Sequence, residues 1–246
     1  LISIMKLYNI TPIFIFDGVA PEDKNETIKK RNKSKDIAEK EYNELNKTIK
    51  EMDINDPSYN DIQIRIINLK KKFIRIKHEE YEKIKELITA FGENYLDADG
   101  ESDELCAKLV IKKYAYACLS EDMDMFIYGC PRVLRYFSLS NETAVIYYLD
   151  KILEELKMTL RDFREICIIS GTDYSINCDT INLYKTFQYF NEYKIYNNIN
   201  NINFYEWLEE NTKYITNIYK LYSIYNIYNT NNINLKKFTL NIKIKE

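Results

Sequence analysis

From Lys24 to Met52 the chain reads KNETIKKRNKSKDIAEKEYNELNKTIKEM, highly charged and free of glycine and proline. Such a stretch predicts a long solvated helix. The segment DINDPSYND at 53–61 is a turn, and a second long helix is predicted from there to Phe91. Its apolar residues Ile67, Ile74, Tyr81 and Ile88 recur at steps of seven, with Ile84 and Phe91 on the same side. Both helices fall between two short strand-like runs, PIFIFDG at 12–18 and the piece around Asn94–Asp97. The fold must therefore let a charged helical hairpin leave one strand end and return to the next.

The remainder alternates strands with helices. A helix is predicted from Glu101 to Lys113, a strand over Ala115–Ser120, and two more around Arg132–Phe137 and Ala144–Leu149. A helix near Asp150–Lys157 precedes another that Thr159 and Asp162 open as a capping box and Gly171 ends. This order argues for an α/β sheet. Beyond Tyr174 the sequence is helical in character and rich in Tyr, Asn and Ile, and NNINNIN at 197–203 reads as poorly ordered.

Acids punctuate the ends of the apolar elements: Asp17 after PIFIF, Glu101 and Asp103 at a helix start, Asp122 and Asp124 after YAYACLSE, and Asp173 after ICIISGT. In an open α/β sheet the C-terminal strand ends gather along one edge, where sites form. An Asp-x-Asp pair on extended backbone sends both side chains to one side. Carboxylates crowded in this way repel and are costly to bury unless a cation neutralises them. An oxygen-only donor set without His or Cys suits Mg²⁺ or Mn²⁺. Two such ions about 3.5–4 Å apart suit phosphodiester hydrolysis.

Composition narrows the alternatives. Five cysteines (106, 118, 130, 167, 178) are widely spaced and form no C-x-x-C pair, and His78 is the sole histidine. These observations argue against zinc and for reduced thiols. The net charge of −3 excludes a uniformly basic surface but not a nucleic-acid partner, since distribution matters more than the total. No apolar run approaches the length that spans a bilayer. LISIMKLYNI carries no signal peptide and no initiator methionine, so the chain is expected to be N-terminally incomplete.

Four blocks together, FDGVAPEDKNETIKKR (16–31), YLDADGESDELCAKL (95–109), SEDMDMFIYGCPRVLR (120–135) and ICIISGTDY (166–174), resemble in order and spacing the conserved blocks of the flap endonuclease and XPG-type structure-specific 5′ nucleases. The resemblance covers residues 1 to about 174. It implies a three-layer sheet core of the 5′-nuclease (PIN-like) type, with a helical arch at about 24–91 and a divergent helical DNA-binding appendage at 175–246.

By that resemblance Asp17, Glu101, Asp103, Asp122, Asp124 and Asp173 are the metal ligands, Asp103 replacing a family Glu, with Glu104 and Glu121 flanking them. Lys24 and Arg31, seven apart on one helix face, steer the scissile phosphate, and Arg31 stabilises the charge that develops on it. Lys29, Lys30, Lys33, Lys35 and Lys185 extend the DNA contacts. The implied activity is Mg²⁺-dependent (or Mn²⁺-dependent) hydrolysis by two ions near a 5′ flap, in replication or repair, by a monomer acting on branched or 5′-flap DNA. The setting is the nucleus or a cytoplasmic viral replication site.

Thr180 and Asn182 stand where the family's duplex-binding turn carries glycines, which counts against a K⁺ ion there. The C-terminal LKKFTLNIKIKE supports no sliding-clamp partner. The family's first metal-binding Asp falls upstream of Leu1. A catalytically impaired nucleic-acid-binding relative is therefore the alternative, and an RNA 5′-end nuclease a third. Trp207 is expected to be a packing anchor and His78 a surface residue.

Overall fold

A computed structural model describes residues 1–175, 180–200, 202–215, 217–229 and 235, the side chains of 197–200 excepted. The expectations for Cys178 and for the C-terminal LKKFTLNIKIKE therefore lie wholly or largely outside the described residues. Two compact units result, one made of Leu1–Pro21 with Ile88–Glu246 and the other of Glu22–Leu87.

In the first unit, helix α1 (Ile2–Leu7) precedes β1 (Ile13–Phe16), which pairs in parallel with β2 (Asn94–Asp97), Phe16 opposite Asp97. Both strands thus end level, and the acid-bearing turns after them are adjacent. Gly18 N–H donates to Gly100 O at 2.7 Å, and a Cβ on Gly18 would lie 2.1 Å from Ala98 O. No side chain fits there, which explains the Asp-Gly pair at the strand end.

A second ladder has the order β3 (Cys118–Leu119), β4 (Arg132–Ser138), β5 (Thr143–Tyr148), the first pair parallel and the second antiparallel. The strand expected over 115–120 shrinks to two residues. Arg132 takes the Tyr116 carbonyl at 2.5 Å and stacks on its ring at 4.3 Å, removing that carbonyl from the ladder.

Helices α5 (Ser102–Ile111), α6 (Asp124–Ile127), α7 (Leu149–Leu156) and α8 (Leu160–Ser170) surround these strands in sequence. The capping box at Thr159 and Asp162 forms as predicted, and Gly171 ends α8 with φ 115°. The C-terminal helices α9 (Leu183–Asn200), α10 (Phe204–Asn211) and α11 (Ile218–Ile227) join the same hydrophobic core. That core runs from Ala107, Met125 and Val133 through Ile166 and Ile169 to Phe190, Phe204, Trp207, Leu221 and Tyr228. Trp207 is buried among Tyr189, Tyr193 and Tyr196, a packing anchor as expected. Lys194 on α9 pairs with Asp162 at 3.1 Å, tying α9 to the start of α8.

In the second unit, a 3₁₀ turn at Glu22–Lys24 leads into α2 (Asn25–Glu51), close to the bounds expected from its composition. The expected second helix is broken in two, α3 (Tyr59–Lys72) and α4 (His78–Ala90). The break at 73–77 is held by α2. Phe73 packs edge-on against Tyr42 at 5.1 Å, Arg75 pairs with Asp36 and Glu39, and Lys35 donates to Ile74 O. The heptad stripe is consequently not a buried seam: of its members only Ile88 is buried, while Ile67, Ile74, Tyr81, Ile84 and Phe91 are exposed.

Candidate active site

All six candidate acids lie in the first unit, and Asp17, Glu101 and Asp124 each accept from a residue far away in sequence. Asp17, just past β1, accepts through Oδ1 from Ser102 N–H at 2.9 Å and from Ser102 Oγ–H at 2.6 Å. It thereby supplies the acceptor at the N-terminus of α5, where unsatisfied N–H groups and the helix dipole favour a carboxylate. Glu101, the extended residue that precedes α5, makes no cap of its own. Its Oε2 instead accepts from the Tyr174 hydroxyl at 2.5 Å. This places the residue after Asp173 beside the start of α5.

Asp124 opens α6, and its Oδ2 accepts from the Tyr228 hydroxyl at 2.7 Å. Here the expectation of an extended Asp-x-Asp fails. Asp122 N–H donates to Ser120 Oγ, and Asp122 Oδ1 accepts from Asp124 N–H at 2.8 Å, so the backbone turns into a helix between the two acids. Short polar side chains that bond the backbone two residues on favour such turns. Asp122 and Asp124 remain adjacent through that bond, but not by strand alternation.

The far end of α6 is fixed by α8. Arg164 donates to Ile127 O at 2.6 Å and Tyr128 O at 3.1 Å, satisfying carbonyls at the helix C-terminus with a cation. Gly129, with φ 85°, follows directly, and a Cβ there would meet the Arg164 guanidinium and Leu160 at 3.2 Å. Of the flanking acids, Glu121 is turned away: it accepts from Tyr136 N–H and pairs with Arg135 at 3.5 Å. Burial pushes the Glu104 carboxyl above its ordinary range, with Lys108 opposing and Glu101 adding to the shift.

Sequence reasoning missed the tyrosines. The Tyr128 and Tyr228 rings lie 4.8 Å apart, and Tyr174 meets Tyr228 edge-on at 5.6 Å. Burial raises the pKa of all three. The charges of Glu101, Asp103 and Glu104 push Tyr128 further, the bond to Glu101 pushes Tyr174, and Asp124 pushes Tyr228. All three hydroxyls therefore remain protonated donors at neutral pH. Tyr174 was within reach of the sequence, standing beside Asp173. Tyr128 and Tyr228 carried no signal among 22 tyrosines.

Among the described residues, no three acid, Cys or His side chains stand close enough to share one ion. Asp17 accepts from Ser102, Glu101 from Tyr174, Asp122 from Asp124 N–H and Asp124 from Tyr228. The donor chemistry nevertheless fits a hard divalent cation, with carboxylate and hydroxyl oxygens and no thiolate or imidazole among the six candidates.

The basic candidates are distributed differently. Lys24 ends the 3₁₀ turn before α2, and Arg31 lies on α2 with exposed Lys29, Lys30 and Lys33, all in the second unit. Lys35 is spent on the Ile74 carbonyl. Lys185 lies in the first turn of α9, its ammonium 4.9 Å over the Tyr189 ring. Asn182 caps that turn by accepting from Lys185 N–H, and neither Thr180 nor Asn182 has positive φ.

Known proteins resemble this chain. The XPG N-terminal domain model matches residues 1–38, and the XPG I-region model matches 92–173, the span that holds five of the six acids. Flap endonuclease 1-A of Oryza sativa subsp. japonica is 32% identical over 175 residues, covering 70% of this chain and 42% of the relative. Flap endonuclease 1 of Methanococcus aeolicus is 31% identical over 167 residues, covering 68% and 48%. The chain thus spans less than half the length of these curated relatives.

Among solved structures, the flap endonuclease-1 from Methanococcus jannaschii aligns over 93% of this chain and 65% of its own, with TM-score 0.57 and 23% identity. The catalytic core of Rad2 in complex with DNA substrate aligns over 95% and 69%, with TM-score 0.62 and 17% identity. Both likenesses establish the fold, an α/β nuclease core with helical parts. Fold, sequence identity and both family regions agree: the chain belongs to the XPG family, the XPG-type 5′ nucleases.

Proposed function

We propose that this chain carries the catalytic part of a divalent-metal-dependent, structure-specific 5′ nuclease that hydrolyses DNA phosphodiesters near the base of a 5′ flap. One observation supports it above the rest. Short hydrogen bonds tie Asp17 to Ser102 beside Glu101, Glu101 to Tyr174 beside Asp173, and Asp124 to Tyr228, whose ring packs edge-on against Tyr174. The relatives' names, flap endonucleases, agree with that chemistry.

Asp17, Glu101, Asp103, Asp122, Asp124 and Asp173 would hold the divalent ions. When bound, such ions lower the pKa of the attacking water and offset charge on the departing oxygen. The chain's own residues do the rest. The Ser102 and tyrosine donors fix the carboxylates in orientation. Lys24 and Arg31 bind the phosphate at the start of α2, where Arg31 offers a planar, permanently charged fork to its oxygens. Lys29, Lys30 and Lys33 add exposed charge for the backbone on either side.

A second reading, a DNA-binding relative without hydrolysis, is favoured by the lack of a shared ligand shell among the described acids. One experiment separates the two. The purified chain is incubated with a labelled 5′-flap duplex, the matched flap in RNA, and unbranched duplex, with Mg²⁺ or with EDTA. The expected result is Mg²⁺-dependent cut product near the flap base on DNA only. Retention of the flap DNA in a mobility-shift gel with no product at any Mg²⁺ or Mn²⁺ concentration favours the binding relative, and preferred cutting of the RNA flap moves the substrate class.

A further inference from the structure

Two of the six acids are held by tyrosines that pack on one another. Tyr174 donates to Glu101 at 2.5 Å and Tyr228 to Asp124 at 2.7 Å. The Tyr228 ring touches both Tyr174 and Tyr128. Tyr228, fully buried, follows the last turn of α11 and lies 104 residues from its acceptor.

We propose that Tyr228 is a positioning residue of the carboxylate site, orienting Asp124 directly and, through its ring contact with Tyr174, keeping Asp124 in register with Glu101. The last described helix is then a working part of the site and not a neighbouring appendage. This rests on the divalent-ion reading given above. A phenol donor occupies one acceptor position on a carboxylate oxygen and leaves the others for a cation. Carboxylates that ligate metals are ordinarily held by such partners, and loss of one partner typically lowers metal affinity or activity about 10–100-fold. The Tyr228 ring, edge-on to Tyr174 and tilted against Tyr128, resists rotation, so two acids on different elements move as one unit.

Packing alone makes a different prediction. A buried tyrosine needs some acceptor for its hydroxyl, and on that view Asp124 serves Tyr228 and not the reverse. Tyr228→Phe keeps the ring and its contacts and removes only the donor. In the full chain, Mn²⁺ affinity is read from the electron paramagnetic resonance signal of free Mn²⁺, alongside kcat and KM on a 5′-flap duplex. Y228F is expected to bind Mn²⁺ about tenfold more weakly, with lower kcat, unchanged KM for DNA, and recovery of rate at high Mn²⁺.

Tyr205→Phe, which removes a buried hydroxyl bonded to Glu165 O in the same core, is expected to leave Mn²⁺ affinity unchanged. Tyr174→Phe is expected to repeat the Y228F loss at Glu101 and serves should Y228F not fold. Equal Mn²⁺ affinity in wild type, Y228F and Y174F overturns this inference and leaves the nuclease reading standing. A wild-type chain with no Mn²⁺ affinity overturns both.

Discussion

Glu101→Gln is expected to lower Mg²⁺-dependent cleavage of a 5′-flap duplex by at least about a hundredfold, the upper end of what loss of a partner behind a metal ligand costs. The fold should barely register the change. Glu101 is half-buried, lies before the first turn of α5 without a side-chain cap, and accepts from the Tyr174 hydroxyl. Glutamine keeps the length of the side chain and an amide oxygen that still accepts from Tyr174, and it removes the negative charge. That charge is what a hard cation recognises. Cleavage rate and thermal midpoint, measured on the same preparation, separate the two effects. A rate within about twofold of wild type, against that hundredfold expectation, would remove Glu101 from the site.

Phe204→Ala is expected to cost about 3–5 kcal/mol of stability, the usual range for emptying a buried aromatic site. Phe204 is fully buried, its ring 5.2 Å from Phe190 and 5.3 Å from Tyr193. It opens α10 directly after the Asn203 capping box, so neither a rotamer change nor a backbone shift closes the void cheaply. The core that holds Phe204 also holds Met125, Tyr128 and Tyr228, the last of which donates to Asp124. Urea unfolding should therefore show one transition moved to lower denaturant, with the C-terminal helices and the acid-bearing segment lost together. A shift worth less than about 1 kcal/mol, well under that range, would mean that α9–α11 are held apart from this core.

The parts of this molecule legible in its sequence are those specified locally. PIFIF closes as a strand before Asp-Gly because Gly18 must pass within contact of the Ala98 carbonyl. Thr159 and Asp162 cap α8 as their spacing dictates. α2 forms because nothing in its charged run interrupts it. What sequence could not give depends on partners far along the chain. The break at 73–77 is made by Tyr42, Asp36 and Glu39 on another helix. Those partners override an unbroken heptad pattern.

The site divides in the same way. The six candidate acids stand out in the sequence because they lie at the ends of apolar elements, five of them within the matched I-region. The turn between Asp122 and Asp124 does not, because a period of two presumes extended backbone and Ser120 and Asp122 bond it into a helix start. Tyr128 and Tyr228 were invisible for another reason. Twenty-two tyrosines form one aromatic background, and only packing selects the cluster in which Tyr174 and Tyr228 reach candidate acids and Tyr128 packs on Tyr228.

The most direct test is a crystal structure of the full chain soaked in Mn²⁺, with the ion located by its anomalous scattering. Carboxylates scattered along the sequence are held here to make one divalent-ion site. The predicted result is density ligated by oxygens from at least three of the four segments that carry Asp17, Glu101 with Asp103, Asp122 with Asp124, and Asp173. Mn²⁺ bound only by acids of a single segment, or only on the charged surface of α2, would contradict that claim.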